Sequence, residues 1–144
     1  MPGEEVKTPY SHLRSGKKAL LLFSHDLTQE QIEELERGWG VEVIEPLPPE
    51  LQKLWSSVPP HLDSLSQYLA PVLEWMEKIG EPGDKAVIQG DFGAVYLAVR
   101  RAFELGVTPL YATTRREVRE VLQPDGSVKQ ERVFRHVRFR VYGR

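Results

Sequence analysis

The chain has 144 residues, 40% of them hydrophobic and 28% charged, with a formal net charge of −2; that is enough for one soluble globular domain and too little for two. It contains no cysteine, which excludes disulfides, cysteine-bound zinc and thiol nucleophiles and favours a cytoplasmic setting. No apolar run approaches the ~20 residues of a membrane-spanning helix.

Residues 1–16 read as a leader outside the single domain at 17–144: charged, with Pro and Gly, and lacking both periodicity and an apolar signal core. Residues 17–24, KKALLLFS, predict a central strand that ends in Ser24-His25-Asp26. Thr28 with Gln31 three positions on is a capping-box pattern. It opens a helix with an Ile32, Leu35 and Trp39 stripe, stopped by Gly38 or Gly40. Residues 41–44 predict a second strand, closed by Pro46. Residues 48–55 predict a short helix with Pro near its first turn, where the missing N–H is harmless. Asp63 or Ser64 then caps a longer helix reaching Ile79, with Leu65, Tyr68, Leu69, Val72, Trp75, Met76 and Ile79 at helical spacing. Pro71 falls inside that helix and should kink it or mark a break. Trp55, Tyr68 and Trp75 are read as core rather than as a base-stacking platform.

Residues 85–114 form a complete strand–turn–helix–strand unit. Residues 85–89 are a buried strand and Gly90-Asp91-Phe92-Gly93 a tight turn. Residues 94–105 are a helix with Val95, Ala98, Val99, Ala102 and Leu105 at helical spacing, ended by Gly106 as a left-handed cap. Residues 107–112 are the next strand, and Thr113-Thr114 leave its carboxyl end. A parallel crossover puts the Gly90–Gly93 turn and Thr113-Thr114 on the same rim of the sheet, where open α/β sheets bind ligands. Beyond Thr114 the period changes to two. Residues 115–122 and 128–142 flank Pro124-Asp125-Gly126 as an antiparallel hairpin. Val133, Val137, Phe139 and Val141 are expected on a core face, with Arg135 among them. Phe134, His136, Arg138, Arg140 and Tyr142 are expected on the other, cationic face. The fold class is therefore α/β, with a mostly parallel sheet and a C-terminal antiparallel hairpin.

From Thr114 to the end there are nine basic residues against four acidic ones, a local charge of +5 that leaves −7 for the rest. A basic segment on an acidic body fits a confined anionic ligand better than general nucleic-acid binding. It equally fits arginines that keep an exposed hairpin soluble. The Gly90–Gly93 turn offers helix N-terminal N–H groups to an anion, although it lacks the fuller glycine fingerprint of dinucleotide folds. Asp91 would repel phosphate and suits a ribose hydroxyl, a base or a helix cap. His25 is a candidate general acid at a strand end, with a structural role as the alternative. Thr113, Thr114 and Arg115 suit phosphate or ribose, and His136, Arg138 and Arg140 add cationic groups.

FSHDLT at 23–28, PPELQKLWSSVPP at 48–60, QGDFGA at 89–94, YATTRR at 111–116 and HVRFRVYG at 136–143 together resemble a small CRISPR-associated family of the Csx type, one of the ring nucleases of type III CRISPR systems. The resemblance spans nearly everything after the leader. It implies a Rossmann-like, CARF-related fold acting as a homodimer. It also implies cleavage of cyclic oligoadenylate, above all cyclic tetra-adenylate, to linear products with a 2′,3′-cyclic phosphate and no metal or other cofactor. DNA and membranes are not implied as partners. On that reading Gly90, Phe92 and Gly93 cradle the ring by their backbone and Asp91 holds or activates a ribose hydroxyl. Arg115, Arg138 and Arg140 neutralise phosphate, and His25 or His136 is the general acid, His25 being preferred for its place on the rim. Ser24, Gln89, Thr113 and Thr114 position the ring. Three other readings remain open at this level: a sensor or sponge that binds without cutting, a metal-dependent phosphodiesterase using His25, Asp91 and His136, and an RNA-binding partner in a CRISPR complex.

Overall fold

Apolar runs alternating with amphipathic segments give the element order β1 (Lys18–Leu22), α1 (Gln29–Gly38), β2 (Val43–Pro46), α2 (Pro49–Ser56), α3 (Ala70–Ile79), β3 (Lys85–Ile88), α4 (Phe92–Leu105), β4 (Thr108–Leu122) and β5 (Val128–Val141). These elements belong to a computed structural model that describes residues 16–144, so the expected leader lies outside it apart from Gly16. The strands form one sheet in the order β2-β1-β3-β4-β5. The first four are mutually parallel and β5 is antiparallel to β4. The chain moves outward one way from β1 to β2 and the other way from β1 to β3, so the order reverses between β1 and β3.

Strand alternation divides the core into two layers. Ala19, Val87, Leu110 and Phe139 face α1 and meet Leu35. Leu20, Leu22, Ala86 and Ile88 face the opposite way, against Trp55 of α2, Val72 and Met76 of α3, and the Ala94, Ala98 and Ala102 stripe of α4. The three alanines let α4 approach the sheet closely. At the amino ends of the strands, buried Asp84 accepts from the backbone N–H groups of Lys18 at 3.1 Å and Glu81 at 2.9 Å. The same carboxylate pairs with Lys18 Nζ at 3.1 Å. That ion pair is hydrogen-bonded on several sides, the condition under which a buried pair is tolerated. Among the described residues, no helix is long and apolar enough to cross a membrane.

Local signals are realised closely in α1 and α4. Thr28 and Gln31 make the reciprocal capping box, and Gly106 ends α4 with φ +72°. Trp55 is buried, with Tyr68 and Trp75 packed against the same cluster. Three expectations are corrected. The helix expected from Asp63 or Ser64 begins only at Ala70, which places Pro71 in the first turn. A continuous helix would have set the Pro71 ring against the preceding turn and cost a hydrogen bond. Secondly, β4 does not stop at residue 112 but runs unbroken to Leu122. Thirdly, the two faces of β5 are not the expected ones. The register shifts between Thr113↔Arg138 and Thr114↔His136, leaving Val137 as an extra residue. That bulge turns His136 to the same face as Phe139 and leaves Val137 exposed.

Candidate functional site

The carboxyl ends of β1 and β3 are hydrogen-bonded neighbours, with Leu22 opposite Ile88. The loops that follow therefore leave the sheet side by side at the reversal of strand order, the place where open α/β sheets take ligands. One loop carries Ser24 and His25, and the other carries Gln89, Gly90, Asp91 and the start of α4.

Helix α2 braces both loops. Gln52 donates from Nε2 to the Phe23 carbonyl at 2.8 Å, and Trp55 donates from Nε1 to the Gln89 carbonyl at 2.9 Å. From sequence Trp55 reads as core rather than as a base-stacking platform, and Gln52 carries no site signal. Their three-residue spacing on one helix face is the only signal that could have paired them. Gly90 lies so close to the indole that a Cβ there would sit 2.9 Å from Trp55 Nε1. The glycine is thus required by packing, whatever else its backbone does. Ser24 Oγ accepts from Ser56 Oγ at 3.2 Å, another contact from α2.

His25 is exposed, edge-on to Phe23 with ring centroids 5.6 Å apart. Beside it is a hollow of about 800 Å³ lined by Phe23, Ser24, His25, Asp26, Ile44 and Gln52 among others. The hollow lies on the β2 side of the His25 loop, not between β1 and β3.

The β3–α4 turn does two things. Asp91 caps α4, its Oδ2 accepting from the Ala94 N–H at 3.0 Å. The other carboxylate oxygen has no partner among the described residues, and neither do the N–H groups of Phe92 and Gly93. The Phe92 side chain is 95% exposed at the first helical position. Gln89 Oε1 accepts from the Ala112 N–H at 3.4 Å, linking the rims of β3 and β4.

Toward β5 the expected residues divide. Thr113 Oγ1 donates to the Arg138 carbonyl at 2.8 Å and accepts from the Arg138 N–H at 3.2 Å, so its hydroxyl is spent on the bulge. The Arg138 guanidinium has no partner among the described residues, and Thr114 is exposed. Arg115 is paired with Glu117 at 2.8 Å on the surface, a bond weak enough for an anion to compete with. Arg140 lies over the Tyr111 ring, 5.3 Å from its centroid, level with the sheet rather than beyond it.

His136 is elsewhere. It lies against α1 and its side chain is 5% exposed. Its Nε2 is 2.7 Å from Glu34 Oε1. Glu34 also accepts from the Phe139 N–H at 3.0 and 2.9 Å and from Trp39 Nε1 at 2.9 Å. Burial raises the Glu34 carboxyl, but hydrogen bonds from Trp39, Phe139 and His136, with the charge of His136, outweigh it and hold the group below its ordinary range. A carboxylate already accepting from three directions fixes the His136 proton on Nε2. Nδ1 is then buried without a hydrogen-bond partner. Glu34, which the sequence reading passed over, thus seals the outer edge of β5 against α1. Among the described residues no three His, Asp or Glu side chains come together as metal ligands, so His25, Asp91 and His136 do not form such a set.

The sheet order and the paired loops at its reversal define a class: the open, doubly wound α/β domains that present their loops at the carboxyl ends of a mostly parallel sheet. The chain belongs to the Uncharacterized protein MJ1673 family, which matches residues 17–140. It is 43% identical over 125 residues to the Uncharacterized protein MJ1673 of Methanocaldococcus jannaschii, covering 87% of this chain and 96% of that protein. No solved structure matches the chain.

Proposed function

We propose that this chain is a cytoplasmic, homodimeric ring nuclease of the type III CRISPR kind. It would bind cyclic oligoadenylate, most readily cyclic tetra-adenylate, at the β1/β3 rim and cut it without a metal. The observation that carries this reading is the pairing of two loops at the strand-order reversal. An exposed histidine stands on one, and an open helix N-terminus with a free carboxylate oxygen stands on the other. The resemblance of the same segments, FSHDLT and QGDFGA, to the Csx-type family supplies the ligand class.

In the proposed step a ribose 2′-oxygen attacks the adjacent 3′-phosphorus. The P–O5′ bond breaks and a 2′,3′-cyclic phosphate forms. The free oxygen of Asp91 takes the 2′-hydroxyl proton, and protonated His25 gives a proton to the departing O5′. The N–H groups of Phe92 and Gly93 face the charge that grows on the phosphoryl oxygens, and Arg138, beside Glu30 and Trp39 on the α1 side of the sheet, is assigned to neutralising another phosphate of the ring. Ser24, Gln89 and Thr114 border the ring. Arg115 joins once released from Glu117. His136 is assigned to the α1–β5 seam rather than to the chemistry. His25→Ala should therefore slow cleavage by about 10²- to 10⁴-fold, while His136→Ala should act mainly through stability. Equal cleavage by His25→Ala and the unaltered protein would remove His25 from the reaction.

A second reading is favoured by one observation. Asp91, Thr113, Arg115 and His136 all have structural partners, which leaves few free groups for chemistry. A module that sequesters the ring without cutting it needs only the rim. Incubation followed by chromatography separates the two, because a sponge returns the ring intact.

A further inference from the structure

The β4–β5 hairpin continues far past the rest of the sheet. β3 pairs with β4 only as far as Val87↔Leu110. The β4–β5 ladder goes on from Thr114↔His136 to Leu122↔Val128, nine more residue pairs. From Arg116↔Phe134 outward, no hydrogen bond or ion pair among the described residues joins this ribbon to a helix or a third strand. A two-stranded ribbon by itself in water is marginally stable and gains stability from a packed face.

Its two faces differ. Residues 115, 117, 119 and 121 with 129, 131, 133 and 135 share one face, by the alternation of the ladder. That face is held by Arg115–Glu117, Arg119–Glu131 and, at its base, Arg135–Glu30. The other face carries Arg116, Val118, Glu120 and Leu122 opposite Phe134, Arg132, Gln130 and Val128. Its apolar members are open: Val118 is 60% exposed, Leu122 74%, Val128 57% and Phe134 68%. Arg132 and Glu120 have no ion pair among the described residues.

We propose that this face docks a second copy of the same chain, ribbon against ribbon about a two-fold axis. The pattern is self-complementary, as an isologous contact requires. Place the axis between the Val118↔Arg132 and Glu120↔Gln130 pairs and run the ribbons in opposite directions. Glu120 of each copy then lies level with Arg132 of the other, one strand across and within reach of the arginine's long side chain. At the apolar tip Val128 then covers Phe134 at the other's base, and Leu122 lies over the stem of Arg116 beside it. Nucleic acid fits this face less well, since Glu120 interrupts the cations and the apolar side chains would stay wet. Because each ribbon extends beyond the carboxyl ends of its strands, this pairing turns the two β1/β3 rims toward a common space. The inference itself rests on the ribbon and not on any ligand.

Sedimentation velocity of the full chain tests it. The unaltered protein should show twice the 16.5 kDa chain mass. Arg132→Glu and Glu120→Arg should each weaken association by about tenfold or more. The double variant, Glu120→Arg with Arg132→Glu, should restore it, because the pair is rebuilt in reverse. Leu122→Asp should yield a monomer, with circular dichroism confirming that each variant is folded. A wild-type monomer at every concentration overturns the proposal, as does a dimer that the charge reversals leave unchanged. A monomer that instead captures single-stranded RNA through the ribbon overturns it as well.

Discussion

Glu34 and His136 are 102 positions apart in the sequence and meet at 2.7 Å across the seam between α1 and β5. The contact depends on the bulge at Val137, which redirects His136 from the solvent side of the hairpin to the α1 side. With the Phe139 N–H on the same carboxylate, one acid closes the edge strand and anchors the base of the ribbon.

Glu34→Ala should destabilise the protein by about 2–4 kcal/mol, because the buried donors it serves lose their acceptor. Thermal melts check this. The pH dependence has a definite sign. The Glu34 carboxyl is held below its ordinary value near 4.5 in the folded state. Its contribution is therefore present above that value and is lost as pH falls through the lower folded value. The wild-type melting temperature should drop on acidification below about pH 5, and Glu34→Gln should flatten that part of the curve. An unchanged acid limb in Glu34→Gln would assign the loss to other carboxylates.

Asp91 allows capping and chemistry to be separated. Asparagine caps a helix about as well as aspartate but brings no negative charge. Asp91→Asn should thus leave stability within about 0.5 kcal/mol of wild type while slowing ring cleavage. Asp91→Ala should also lose about 1 kcal/mol from the missing cap. If Asp91→Asn cleaves at the wild-type rate, the residue is a cap and nothing more.

Gly90→Ala probes the brace. The added methyl would press on the buried Trp55 ring and disturb its bond to the Gln89 carbonyl. Overpacking of this kind costs about 1–3 kcal/mol. A shift in the tryptophan fluorescence of the variant, together with a lowered melting temperature, is the expected result.

Much of the scaffold is legible in the sequence because it rests on local rules. The Thr28–Gln31 box, the Gly106 cap and the two strand–helix–strand units follow from capping and periodicity alone. The β1/β3 rim follows from topology, so Ser24, His25 and the Gly90–Gly93 turn are placed where expected. What failed depends on non-local terms. The bulge needs the pairing of Thr113 with Arg138, which no single segment shows. Arg135 among valines was the one visible sign that the alternation breaks. Glu34 was hidden because an acid on a helix face is usually solvated, and only the fold brings the Phe139 N–H to it. Gln52 reads as an ordinary α2 residue and Trp55 as core packing alone until the carbonyls of Phe23 and Gln89 lie beneath them.

The most direct test of the central claim is product analysis by mass spectrometry after incubating the purified protein with cyclic tri-, tetra- and hexa-adenylate, with and without EDTA. The account predicts linear oligoadenylate ending in a 2′,3′-cyclic phosphate, formed fastest from the four-membered ring, unaffected by EDTA and greatly slowed in His25→Ala. Recovery of all three rings intact would contradict it.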